Sequence, residues 1–183
     1  MVLYIVIGVV VLIVLWAIMT YNGLVSRRAM VAEGWSGIDA QLKRRTDLIP
    51  NLVETVKGYA THERSTFDEL TKMRAETGSQ DPAQRAAAET AITSAIGKIM
   101  AVAEAYPDLK ASANFQSLQQ NLNELEDQIQ LARRYYNGAV RNFNVSVQQF
   151  PSNLIAGMGG FTAAQFFQLD DAADRNVPKV SFS

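Results

Sequence analysis

The chain has no cysteine and one histidine, His62, among its 183 residues. Without cysteine there is no disulfide framework, no thiolate zinc site, no cysteine nucleophile and no cysteine for lipid attachment. A lone histidine rules out an imidazole pair, so His62-Glu63 is not half of a helical zinc hydrolase motif. An excess of positive charge is also missing. Lys plus Arg number 17 against 18 Asp plus Glu, for a formal net charge of −1. Neutralising the phosphates of a duplex needs a basic surplus, so nucleic acid is not expected as a partner. Nor is there a phosphate-binding loop, because Gly157-Met158-Gly159-Gly160 leads into Phe161-Thr162 rather than Lys-Ser/Thr. Ser65, Ser94 and Ser146 lack a glycine-flanked nucleophile elbow. No catalytic, cofactor-binding or metal-binding residue is therefore assigned.

Charge is absent altogether from Met1 to Thr20, MVLYIVIGVVVLIVLWAIMT. About twenty apolar residues in a helix cross the ~30 Å hydrocarbon core of a bilayer. A cleaved signal would have a positive leading region, a shorter apolar stretch and small residues before the cut, and these are missing here. Residues 1–20 are read as a transmembrane anchor and residues 21–183 as one helical domain. Trp16 and Tyr21 occupy positions of interfacial aromatics, and Arg27 with Arg28 come directly after. The positive-inside rule then places a short N-terminus outside and the domain in the cytoplasm, with the protein in the cell inner membrane.

Beyond the anchor, apolar residues recur at helical spacing: Trp35, Ile38, Leu42, Ile49, Leu52, Val56, Tyr59, Phe67, Leu70 and Met73. This is expected to be one long helix to about Thr77, kinked or broken near Asp47 by Pro50. Asp81-Pro82 supplies an N-cap and a first-turn proline for a second helix. Its buried stripe is expected at Ile92, Ile96, Ile99 and Val102, and it stops at Pro107, with Asp108 capping the next segment. The third helix has a seam at Phe115, Leu118, Leu122, Leu125, Ile129, Ala132, Tyr136, Val140, Phe143, Val147 and Phe150, and Pro151 ends it. A helix of this extent is about 50 Å long, so an elongated bundle is expected. One or two helical turns over Ser152 to Ala156, a glycine loop and a returning tail with Phe161, Phe166, Phe167 and Phe182 complete the fold. The class is all-α: a transmembrane helix, then an antiparallel bundle of three long helices with a short C-terminal helix and an extended tail.

Other polar groups have ordinary readings. Asp170, Asp171 and Asp174 could gather a divalent cation, but a solvated face is favoured. Glu124, Glu126 and Asp127 read as helix-surface charge. Lys43-Arg44-Arg45 is diluted by Asp39, Asp47 and Glu54 and reads as helix surface that could contact a partner chain. Asn137 and Asn144, seven apart and each after an aromatic, read as a polar layer fixing register between helices, as a buried Asn does in coiled coils. A ligand site using Tyr135, Tyr136, Asn137 and Asn144 is disfavoured, since a slender bundle offers little concavity.

Several stretches are similar to the LemA family over nearly the whole chain. They are Tyr21-Asn22-Gly23-Leu24-Val25, QLKRRTDLIPNLVETVKGYATHE from Gln41 to Glu63, AEAYPDLKASANFQSLQQNLNELE from Ala103 to Glu126 and IQLARRYYNGAVRNFNVSVQQFP from Ile129 to Pro151, then Gly160-Phe161, Phe166-Phe167 and Val177 to Phe182. The resemblance implies a bacterial membrane protein with an outer N-terminus and a helical bundle. The family has no agreed activity; some members are associated with membrane zinc proteases of the envelope stress system, and a related one with magnetosome membranes. No functional residue carries over. The expectation is a non-enzymatic, membrane-anchored scaffold that forms a homo-oligomer through its long helices and presents a helical surface to partner proteins, with Ala86, Ala87, Ala88, Ala91 and Ala95 small enough to permit close helix contact, and with no cofactor. The alternative is a regulator or adaptor of a membrane zinc protease.

Overall fold

The computed structural model describes residues 1–59 and 81–168. Among them the fold is all-α, with no strand: α1 (Val2–Lys57), α2 (Pro82–Glu104), α3 (Pro107–Lys110), α4 (Ala113–Gln148) and α5 (Ser152–Met158), followed by a non-helical segment to residue 168. Phe67, Leu70, Met73 and Phe182, and the expected run of the first helix from residue 60 to Thr77, lie outside the described residues.

Proline and its neighbours set most boundaries. Asp81 accepts from the Ala83 amide at 3.4 Å while Pro82 takes the first helical position of α2. The proline lacks only a donor that has no intrahelical partner there, so the helix starts without loss. Pro107 does the same for α3, whose N-cap is Tyr106 rather than Asp108. Asp108 instead sits in the first turn, where a carboxylate favours the helix dipole without capping it. Pro50 breaks nothing: α1 continues from Val2 to Lys57 with the proline inside it. Packing on both sides of the proline holds it, with Ile49, Leu52, Val53 and Val56 all buried.

The chain divides into two compact units. The first comprises Met1–Ala40 and Gln130–Phe166. Its core gathers Leu24, Phe143, Ala156 and Phe161, with Val31, Val147, Ile155 and Ala164 packed against them. The Tyr21 and Phe161 rings meet edge to face at 5.5 Å, and Trp35 meets Tyr136 at 5.6 Å. Positions rise along α1 as they fall along α4, so the two run antiparallel in this unit. Gly34 permits their approach, because a Cβ there would lie 3.0 Å from Tyr136 Cα. The second unit, whose described part is residues 41–59, 81–129 and 167–168, has a core of Ile49, Leu52, Val56, Ile92, Ala95, Ile99, Ala103, Leu109, Phe115 and Leu122. Each large aliphatic side chain sealed there contributes about 1.5–3 kcal/mol over leaving it in water.

The expected seams hold with local changes. On α2, Ile92 and Ile99 are buried, Ile96 and Val102 are only partly so, and the stripe also contains Arg85 and Glu89. On α4 the seam ends at Val147, because Phe150 lies past the helix and is 75% exposed. From Val2 to Trp16 the apolar side chains of α1 face outward, uncovered. α2 also has the length and composition to cross a membrane, but part of its apolar stretch is buried and its buried face carries Arg85 and Glu89. It is a core helix.

Candidate functional site

Two polar constellations stand out among the described residues, one in each unit. In the second, Arg45 from α1 enters the interior with 2% of its surface exposed. One guanidinium nitrogen pairs with Glu89 of α2, which is fully buried, and the other donates to Thr93 Oγ1 and Glu126 Oε2, both at 3.1 Å. Arg85, also buried, places Nε 3.1 Å from Glu89 Oε1, one helical turn away. That approach is out of line for a hydrogen bond but close enough for attraction between opposite charges. Two guanidinium groups thus face one sealed carboxylate and one at the rim. An isolated buried charge is too costly to persist, so the four side chains stand or fall together.

Two clefts flank this cluster. One, about 170 Å³, is lined by Arg45, Thr93, Ile96, Met100, Leu122 and Glu126. The other, about 330 Å³, runs between α1 and α4 and is lined by Arg44, Asp47, Leu48, Asn121, Glu124 and Gln128. Arg44 donates across it to Gln128 Oε1 at 3.2 Å. The first is below, and the second at the low end of, the range in which small-molecule sites usually fall, roughly 300–1,000 Å³.

In the first unit, Asn144 grips the backbone of the segment after α5. Its amide nitrogen donates to the Ala164 carbonyl at 2.9 Å, and its oxygen accepts from the Ala164 N–H at 2.8 Å. Tyr136 donates its hydroxyl to the Gln165 carbonyl at 2.8 Å. The side chains thereby supply the partners that a helix or sheet would otherwise give to this non-helical backbone. Burial pushes the Tyr136 phenol above its ordinary value, which keeps it a neutral donor. The returning tail expected after the glycine loop is this segment, with Phe161 and Phe167 buried and Phe166 partly exposed.

Three residue readings change. Arg45 is not helix surface: of Lys43-Arg44-Arg45 only the first two are exposed. Glu126 is not a bystander, since it completes the Arg45 cluster. Asn144 fixes register between a helix and a non-helical segment rather than between helices, while Asn137 lies part-buried one heptad earlier. Tyr135 does not join Tyr136 in a site; it is half exposed and reaches Glu33 Oε2 at 3.4 Å. The Ser146 hydroxyl donates to the Asn142 carbonyl one turn back. His62, Ser65, Asp170, Asp171 and Asp174 lie outside the described residues, among which no group of three acidic or imidazole side chains is arranged for a metal. The Arg45–Glu89 pair escapes sequence reasoning because its only signals are charges on two apolar faces.

These features define a membrane-associated, all-helical protein whose buried polar groups serve one another. The LemA family model matches residues 34–182, and the chain belongs to that family. Among its relatives are magnetosome protein MamQ 2 of Paramagnetospirillum magneticum, 26% identical over 87% of this chain and 69% of that protein, and magnetosome protein MamQ of Magnetospirillum gryphiswaldense, 23% identical with the same coverage. Protein LemA of Metamycoplasma hominis is 28% identical over 74% of this chain and 63% of its own length.

Proposed function

We propose that the chain is a non-enzymatic scaffold: residues 1–20 span the bacterial inner membrane, and residues 21–183 form a cytoplasmic helical domain that self-associates and presents a protein-binding surface. One observation carries this reading. The uncovered apolar stretch and the core positions Leu24, Ile38, Leu42 and Ile49 belong to one unbroken helix, so the anchor is a structural member of the domain rather than a tether. The inward polar groups support a structural role, since buried Arg45 and Glu89 and part-buried Asn144 are spent on holding elements together. Names of relatives that give a location, the magnetosome, agree with position rather than reaction as the theme.

The surface for self-association adds to the alanine stripe of α2, of which Ala86 and Ala95 are buried within their own unit while Ala87 is exposed and Ala88 and Ala91 are partly covered. What it adds is the outward edge of α4, where Leu131, Tyr135 and Val145 are each more than half exposed at spacings compatible with one helical stripe. A single cysteine at Leu131 in this cysteine-free chain should give a dimer-sized species on oxidation in native membranes. No crosslink, together with a strict monomer by light scattering at every concentration in detergent, would remove self-association. A single cysteine at Gln119 should resist an impermeant maleimide in intact cells; labelling there would reverse the orientation.

A further inference from the structure

The far end of the first unit is uncharged on both stretches of chain that build it. No charged side chain occurs from Met1 to Ser26, and none from Asn142 to Phe166. The fold brings these two stretches together, since Leu24 shares its core with Phe143, Ala156 and Phe161, and the Tyr21 ring lies against Phe161. The α4–α5 corner is therefore fixed at the level where α1 leaves its uncovered apolar run. Ala17 and Thr20 sharpen this: on the same stripe as Leu24, they are partly covered, whereas every residue from Met1 to Trp16 is exposed.

What this corner turns outward is uncharged, with Gln148, Gln149 and Asn153 exposed beside three large apolar side chains. Within α5, Ala156 faces the core while Leu154 and Met158, four apart, face away at 57% and 87% exposure, and Phe150 before the helix is 75% exposed. An aqueous end of a helical bundle would carry lysine and glutamate at such positions. Arg28 stands just beyond, its guanidinium 5.1 Å from the Phe161 ring, with Arg27 beside it. At ~1.5 Å per residue the pair lies roughly 10 Å past Thr20, at the outer edge of the headgroup layer if residues 1–20 span the core, where long side chains reach back to lipid phosphates.

We infer that the α4–α5 corner is a second membrane contact: Phe150, Leu154 and Met158 insert into the leaflet from which α1 emerges, with Arg27 and Arg28 on the phosphates above. The occupant of the apolar face is lipid, because the face continues the surface of the spanning segment and carries no charge to address a protein partner. The inference rests on the reading of residues 1–20 as a bilayer-spanning helix. Two points of attachment fix the tilt and rotation of the first unit against the membrane, which a single helix leaves free. Amphipathic segments of this kind sit about 5–10 Å into the boundary between headgroups and acyl chains.

The chain's lack of cysteine makes the test direct. The full-length protein with a single spin label at Trp16→Cys, Leu154→Cys, Met158→Cys or Gln119→Cys is placed in vesicles of phosphatidylcholine and phosphatidylglycerol. Collisions with oxygen and with a water-soluble nickel chelate then report depth. Position 16 should read deep and position 119 aqueous. Positions 154 and 158 should read boundary depth, with an oxygen-to-nickel ratio several-fold above that at 119. Aqueous values at both 154 and 158 with position 16 deep would overturn the second contact and leave the anchor standing. An aqueous position 16 would overturn both. Spin–spin broadening at 158 that vanishes on dilution with unlabelled chain, without gain in oxygen collisions, would assign the face to a second copy instead.

Discussion

Arg45 and Glu89, on α1 and α2, form an ion pair with both side chains sealed from water. The pair closes the second unit around a charge that a bundle would do without. Burying two ions loses most of their mutual attraction to desolvation, so the pair specifies the packing more than it strengthens it. Removing one partner is another matter. Glu89→Gln leaves the buried Arg45 with the rim carboxylate of Glu126 as its counter-charge, and should cost about 3–5 kcal/mol. Arg45→Lys keeps the charge but cannot reach Glu89, Thr93 and Glu126 together, and should lose about 1.5–3 kcal/mol. Urea titration of the detergent-solubilised protein, followed by helical circular dichroism, measures both. Equal and negligible losses would mean that the cluster is not closed in solution.

The grip of Asn144 on Ala164 makes a more local prediction. Asn144→Asp keeps the shape and the acceptor but replaces the donor facing the Ala164 carbonyl with an oxygen. The change should cost about 1–3 kcal/mol. Its signature is hydrogen exchange: the Ala164 amide should lose protection while the amides of α4 around Val140 keep theirs. Loss of protection along the whole helix would mean that Asn144 supports α4 itself rather than the returning segment.

How far the sequence reveals this architecture depends on the range of the forces involved. Asp81-Pro82, Pro107 and Pro151 act on their own turn of chain, so the starts and stops they encode are legible to within a few residues. The α4 seam from Phe115 to Val147 is legible because burial repeats with the helical period. Pro50 does not make the break that its sequence allows: its local cost is real, but side chains buried on either side keep α1 continuous through it. Arg45 misleads because a basic run next to acidic residues resembles solvated surface, and its partner Glu89 lies 44 positions away on another helix. Asn144 is recognisable as an amide on the seam edge, part-buried in the fold, but its partner is backbone, which has no sequence identity to read.

Two glycines of α1 form a matched comparison. A Cβ at Gly34 would stand 3.0 Å from Tyr136 Cα and 3.2 Å from the Tyr135 ring, while one at Gly37 would meet nothing within 4 Å. In an open helix interior, Gly→Ala stabilises by roughly 0.8–1.0 kcal/mol. Gly37→Ala should realise that gain. Gly34→Ala must push α4 away, and overpacking of this kind costs about 1–3 kcal/mol, so its sign should reverse. Opposite shifts of the urea midpoint would establish the close approach of the two helices; shifts of the same sign would argue against it.

Pro50 offers the last test, because its side chain is exposed and its cost lies in the backbone. Within a helix a proline removes one hydrogen bond and crowds the carbonyl four residues earlier, here that of Thr46. Thr46 is buried and its hydroxyl already donates to the Leu42 carbonyl at 2.9 Å, so it cannot serve its own carbonyl as well. Pro50→Ala restores the missing donor without taking a side chain from the core, and should stabilise the second unit by up to about 3 kcal/mol. The same substitution should leave hydrogen exchange at the Asn144–Ala164 clamp unchanged, since that contact lies in the other unit. A loss of stability would place the origin of the proline elsewhere: in a bend of α1 that brings Ile49 and Leu52 onto α2 and α4, and that a regular helix could not reproduce.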